Sequence, residues 1–328
     1  MLHLKPRNPD ALPEDKRLAL RDAQRLEWLT LGLRMSVAGA LYLALGGTQA
    51  LTAVWLKSLW ALLPPVAFLV ACRVEQRAPR PRFPYGFYRA GTIAFLAGAL
   101  ALGAMGVFLC YTGLHGLVSA RTSALATLWA SPFAQWHGWL VIAALAYSIA
   151  VPMITGGARQ RLAIALHDKG LYADATMGRA NWLAGTAAIV GVLGIGLGLW
   201  WVDWVATLVI GADILRYGAR HTRTAVCDLI DEVPRRLDTG AVDPLGARIH
   251  SHLVALDWVA DARVRLREEG RRLTGMAFVC PQADTAALLD RLAQTRKEIE
   301  RLDWRLLDFE LVPVDARRCA VQMRIPGA

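Results

Sequence analysis

Charged residues are scarce in this chain. Only 20% of its 328 residues are Asp, Glu, Lys or Arg, against 55% hydrophobic ones, and a soluble protein of this size needs more polar surface than that. Cysteine is scarce too. The five residues Cys72, Cys110, Cys227, Cys280 and Cys319 are odd in number and contain no CxxC pair, so neither a disulfide framework nor a zinc knuckle is indicated. Residues 1–28 contain charges but no apolar h-region, which excludes a cleavable signal peptide of the usual kind and leaves a cytosolic lead-in with one short amphipathic helix near Glu14–Arg25. There is no activated nucleophile, no paired acids and no cofactor motif, so an enzyme is not expected. The glycines of Gly194-Ile-Gly-Leu-Gly198 have no strand before them and no βαβ unit around them, which excludes a phosphate loop.

What the chain does have is long apolar runs. Segments long enough to span a bilayer, about 17 to 25 residues each, occur near Leu29–Gly47, Ala50–Cys72, Ala90–Val118, Gly138–Gly156, Tyr172–Trp200 and Val202–Tyr217. The formal net charge of +10 raises nucleic acid as a partner, but the basic residues are distributed otherwise. Lys5, Arg7, Lys16, Arg17, Arg21 and Arg25 precede the first span, Arg73, Arg77, Arg80, Arg82 and Arg89 lie between spans two and three, Arg159, Arg161 and Lys169 between four and five, and Arg216, Arg220 and Arg223 at the exit from six. The alternate links hold almost none. By the positive-inside rule both termini are cytoplasmic, and no nucleic-acid partner is expected. Trp129, Trp136, Trp139, Trp200, Trp201 and Trp204 fall where the outer interface then lies. Span three is rich in small residues, from Ala90 and Gly91 to Gly106, and span five has the GxxxG spacing. Such faces pack on helices of the same or another subunit, or have no specific partner; both readings stand.

After Asp228-Leu-Ile-Asp231 the composition turns soluble. Leu245, Ile249 and Leu253 share one helical face within Pro244–Leu256, Ala260–Arg267 alternates with Ala262, Val264 and Leu266 on one side, and Gly270-Arg-Arg turns into a second strand, Leu273–Cys280. Leu288, Leu292, Ile299 and Leu302 predict a helix, and Leu307, Phe309 and Leu311 a last strand. The order is αββαβ. A unit so small has a marginal core, and dimerisation through it is physically sensible.

The expected fold is a membrane, all-α, six-helix transmembrane domain with a small cytoplasmic α+β domain of αββαβ, ferredoxin-like type. The boundaries are a cytoplasmic N-terminal segment 1–27, the transmembrane domain 28–222, a linker 223–240, the αββαβ domain 241–316 and a tail 317–328. Within span two, Gly47–Pro65 carries Lys57. A charge at membrane depth costs at least about 2.5 kcal/mol on insertion scales, so it marks a functional site by default. The bland alternative is that Lys57 snorkels to the outer interface, which its four-carbon stem can reach. Arg34 and Asp213, also at membrane depth, lie near enough to the cytoplasmic side for snorkelling to be the default.

Specific residues carry a resemblance. Phe83-Pro-Tyr-Gly-Phe-Tyr-Arg-Ala90, Leu171-Tyr-Ala-Asp-Ala175, Asp203 after a Trp pair, and Asp228-Leu-Ile-Asp231 resemble segments of the cation diffusion facilitator family, and the likeness runs from about Leu26 to Val314. The resemblance implies an inner-membrane (plasma-membrane), multi-pass homodimer, paired through its transmembrane and C-terminal domains. It implies export of a divalent cation, as substrate, in exchange for protons by alternating access, with no cofactor. It also implies a transport site built from two i,i+4 ligand pairs, on spans two and five. Those positions are Lys57 and Ala61, and Met177 and Asn181; none carries a carboxylate or an imidazole, whereas tetrahedral zinc takes four such ligands.

The site is therefore expected to be remodelled. In one reading Lys57 is a tethered cation in place of the metal, bonded to the amide of Asn181, with Asp174 as counter-charge; in another it is a proton switch, since burial lowers a lysine pKa. The competing class is a transport-inactive pseudo-transporter that partners or regulates an intact one. Met177 with Cys72 or Cys110 suggests a soft metal only if the fold brings the sulfurs together, and Met in an apolar span is ordinarily packing. The resemblance implies a charge pair of Arg89 with Asp231 linking the two domains. His250 and His252 are weak metal candidates in the soluble domain, because i,i+2 residues on a helix point apart.

Overall fold

A computed structural model describes residues 12–44, 55, 58–119, 132–176, 201–282 and 287–314. The chain divides into two compact units, Glu14–Val226 and one containing Cys227–Ala328. In the first, the described helices are α1 (Glu14–Ala44), α2 (Leu63–Glu75), α3 (Ala90–Val118), α4 (Pro132–Leu166), a short helical segment at 169–176, and α5 (Val202–Leu229), whose last residues open the second unit. Three described stretches, Ser58–Glu75, Ala90–Val118 and Ile142–Leu166, are long and apolar enough to cross a membrane.

Local sequence accounts for these elements. Pro64 and Pro65 stand in the first turn of α2, where a missing N–H has no intrahelical partner to lose. Pro152 lies inside α4 and interrupts its hydrogen-bond ladder. On α3, Ile93, Leu100, Val107 and Leu114 are seven apart and exposed, one apolar stripe suited to lipid. The opposite face buries Thr92, Phe95, Ala99, Gly106, Leu109, Gly113 and Gly116. Here the partner of the small-residue face is α5 of the same chain. A Cβ on Gly106 would sit 2.5 Å from the Leu215 backbone, and one on Gly218 would sit 2.5 Å from the Gly103 nitrogen. In lipid, where apolar area alone drives no association, such close backbone packing holds helices together. The GxxxG of span five lies outside the described residues.

The second unit carries α6 (Leu245–Val254), β1 (Val259–Glu269), β2 (Arg272–Pro281), α7 (Leu288–Leu302) and β3 (Leu306–Pro313), the αββαβ order expected from the hydrophobic periods. The sheet order is β1-β2-β3, with β1 and β2 antiparallel and β2 and β3 parallel. Gly270 adopts φ +64° between Glu269 and Arg272, which pair across the hairpin; a left-handed turn residue suits the strand twist. Leu245, Ile249, Leu253, Ala262, Leu273, Ala277, Val279, Leu292, Ile299 and Phe309 form one core. The predicted strand face of Ala262, Val264 and Leu266 does point into it. Cys280 is disulfide-bonded, a bridge the cysteine spacing did not suggest.

Candidate transport site

The site begins with a stripe on α1. Ala23, Glu27, Thr30, Arg34, Val37 and Leu41 are spaced three or four apart and all lie on its inward face, so apolar positions flank three polar ones on a single line. Helix α4 ends next to it, with His167 in a left-handed conformation (φ 53°). Asp168 follows directly and caps the 169–176 segment, accepting the Leu171 N–H at 2.8 Å. This two-residue joint starts the new helix with Leu171, Ala173, Asp174 and Ala175 buried.

Four charged side chains converge there. Arg159 of α4 is wholly buried, and its Nη1 donates to Asp174 Oδ2 at 2.7 Å. Its Nη2 donates to Thr30 Oγ1 at 2.7 Å and to Thr155 Oγ1 at 3.4 Å, while its Nε lies 2.8 Å from Glu27 Oε1. The Glu27 contact is an ion pair rather than an aligned hydrogen bond, and Glu27 Oε2 has no hydrogen-bond partner among the described residues. Arg34 reaches Asp174 from the other side, its Nη2 donating to Oδ1 at 3.0 Å and Oδ2 at 3.1 Å. Arg34 Nη1 donates to the backbone carbonyl of Ala61. Two guanidinium groups and two carboxylates balance, the condition under which buried charges are tolerated.

A cavity of about 40 Å³ lies beside Asp174, room for a water or a largely dehydrated ion. Its walls are mostly small or apolar, including Ala71, Phe95 and Ala99, and Asp168, Asp174 and His221 supply polar groups.

The expected site residues fall as follows. Ala61 contributes its carbonyl to the Arg34 contact. Asp174 is a buried counter-charge, and its described partners are Arg34 and Arg159. Lys57, Met177 and Asn181 lie outside the described residues. Arg34 does not snorkel to the surface, because Asp174 and Ala61 hold it inward, whereas Asp213 is exposed on α5. Arg159 stands in the fourth helix rather than in a cytoplasmic link. Asp231 pairs with Arg267 at 3.4 Å within the second unit; Arg89 precedes α3 in the first. His250 is exposed, and His252 Nε2 lies 3.6 Å from Glu298. Among the described residues no three His, Cys, Asp or Glu side chains group as a metal site. Cys72 packs with Phe68, Ala163 and Leu166 as an ordinary core residue. Sequence reasoning passed over Glu27, Thr30 and Arg159. The three-four spacing of polar residues within the buried stripe of α1 was the signal for the first two.

A helical bundle of this composition is that of a membrane protein, and charged side chains buried among its helices mark a functional site by default. Residues 28–230 match the family model for the cation efflux transmembrane domain, more than half of the chain, and the protein belongs to the cation efflux family. It is similar to the uncharacterized transporter YdbO of Bacillus subtilis, 25% identical over 235 residues, which cover 66% of this chain and 76% of that one. It is also similar to the manganese efflux system protein MneS of the same organism, 26% identical over 171 residues, 52% of this chain and 54% of that protein. The family is one of transporters, not enzymes.

Proposed function

We propose that the protein is a cation exporter that works by alternating access, exchanging a divalent cation for protons across the plasma membrane through a remodelled central site. The carrying observation is the buried carboxylate of Asp174, shared between Arg34 and Arg159 from two other helices. A network of that kind persists at membrane depth only where paired charge or water satisfies it. The protein is a six-span bundle with a ferredoxin-like αββαβ domain, both termini are cytoplasmic, and two copies associate through both domains. The domain limits are those of the sequence reading, 28–222 and 241–316. Lys57, Ala61, Met177 and Asn181 line the transport site. The similarity to a manganese efflux protein makes Mn²⁺ the first substrate to test.

The lack of an acid or imidazole at those four positions favours a second reading, a transport-inactive partner of an intact exporter. Proteoliposome flux separates the two. Purified protein is expected to move Mn²⁺, Zn²⁺, Fe²⁺ or Co²⁺ above empty vesicles and to carry protons the other way. Vesicles no leakier than protein-free controls to every one of these ions would leave the second reading standing.

A further inference from the structure

Arg34 bridges two spans at once. Its guanidinium joins Ala61, on span two, to Asp174, on span five. Those two spans are the ones between which a transported cation is held on the reading above. The oxygens it engages are two carboxylate atoms and one backbone carbonyl, a donor set that suits a hard cation. The second guanidinium, Arg159, is 0% exposed and anchored by Glu27 and Thr30 as well. Arg34 is 12% exposed, and its only other described bond is to a carbonyl. Of the two, Arg34 is the one free to leave.

We propose that Arg34 is an internal competitor for the transported ion: its guanidinium and a hard, oxygen-coordinated divalent cation occupy the Asp174 carboxylate and the Ala61 carbonyl alternately. When Arg34 holds these oxygens, spans one, two and five are tied together at this level. A divalent cation that displaces it takes over the carboxylate and frees the Arg34 tie to Ala61, while Glu27 and Thr30 keep span one joined to Arg159. The adjoining cavity, with Asp168 at its wall, offers the cation space beside the same carboxylate. The inference deepens the transport reading and rests on it, assigning to Arg34 the cationic role first expected of Lys57.

The test is equilibrium binding to the purified full-length protein, with Mn²⁺ as probe because the free aqueous ion is counted by its paramagnetic spectrum. Arg34→Gln removes the competing charge but leaves Asp174 paired with Arg159, and it is expected to bind Mn²⁺ at least about tenfold more tightly than the wild type, the scale of one well-placed charge. Arg34→Lys keeps a cation that cannot hold both oxygens as a planar fork does, and is expected to gain about threefold. Adding Asp174→Asn to either variant is expected to abolish the gain. Should Arg34→Gln fail to yield a monodisperse protein, Arg34→Lys decides alone. Unchanged or weaker Mn²⁺ binding in the folded variants, or a gain that survives Asp174→Asn, overturns the proposal. Binding does not depend on flux, so a wild type that transports with no gain in Arg34→Gln refutes the competitor alone. A wild type that transports nothing refutes the reading beneath it.

Discussion

Both units pair arginine with carboxylates, but a surface pair in the second and the central pair of the first stand in opposite environments. In the second unit Arg296 pairs with Glu300 at 3.0 Å and Asp308 at 3.4 Å on a surface where its side chain is 43% exposed. In the first, Arg159 meets Glu27 and Asp174 with no exposure at all. Water screens the former pair and competes for every hydrogen bond, so its net contribution is small. Arg159 is wholly buried, so losing a partner leaves an uncompensated charge, and the pairing matters far more. Surface pairs such as Arg296 with Glu300 therefore add little to the sheet unit, where Arg305 with Asp243 at 2.7 Å is a buried exception, whereas buried pairs decide how α1, α4 and the 169–176 segment meet.

The sharpest way to break this comparison is Asp174→Asn. It leaves Arg34 and Arg159 facing an uncharged amide, and a loss of about 3–5 kcal/mol is expected, read as a lower midpoint of thermal unfolding in detergent. A midpoint within a degree of wild type would mean that water reaches the network and that the contrast is false. Next in size is Gly218→Val, whose Cβ meets the Gly103 nitrogen at 2.5 Å. It should cost about 1–3 kcal/mol by forcing α3 and α5 apart, checked by the same melt. Arg296→Ala tests the other arm. A change of about 0.2–1 kcal/mol is expected, and a larger one in chemical denaturation would show that the surface pair is less screened than its exposure implies.

The smallest expected effect concerns Asp238. The hydrogen bond from Arg236 holds its carboxyl below the ordinary carboxylate range against an opposing effect of desolvation, and the Thr239 N–H adds to the lowering. A carboxyl so lowered adds stability above its unfolded value and loses it as pH falls through the folded one. Both side chains are exposed, so solvent screens the pair and acid melts of Arg236→Ala and wild type should differ only slightly, the wild-type advantage fading as pH falls. The Asp238 titration, followed by carboxyl carbon NMR, should move up toward the ordinary value in that variant. An unmoved midpoint would show that the pair does not form.

Much of the fold is legible because it depends on local pattern. The period-two face of Ala262, Val264 and Leu266 and the helical spacing, four then seven, of Leu288, Leu292 and Ile299 each specify an element before any partner is known. The sheet core then follows from which faces are apolar. The candidate site was legible only in part. Asp174 stood out through the LYADA segment, but Arg34 and Arg159 looked like basic residues near the ends of apolar runs, where snorkelling is the ordinary outcome.

The sequence by itself determined that this chain enters membranes, that it belongs among cation efflux proteins, and that a β-containing unit follows the helices. Hydropathy, residue period and family segments are all read along the chain. The tertiary structure alone decided which cation meets which acid. Glu27, Arg34, Arg159 and Asp174 come together from α1, α4 and the segment after it, and no local spacing encodes a pairing across so many residues. The physical reason is that a buried charge is tolerated according to its partner, and the partner is chosen by helix packing.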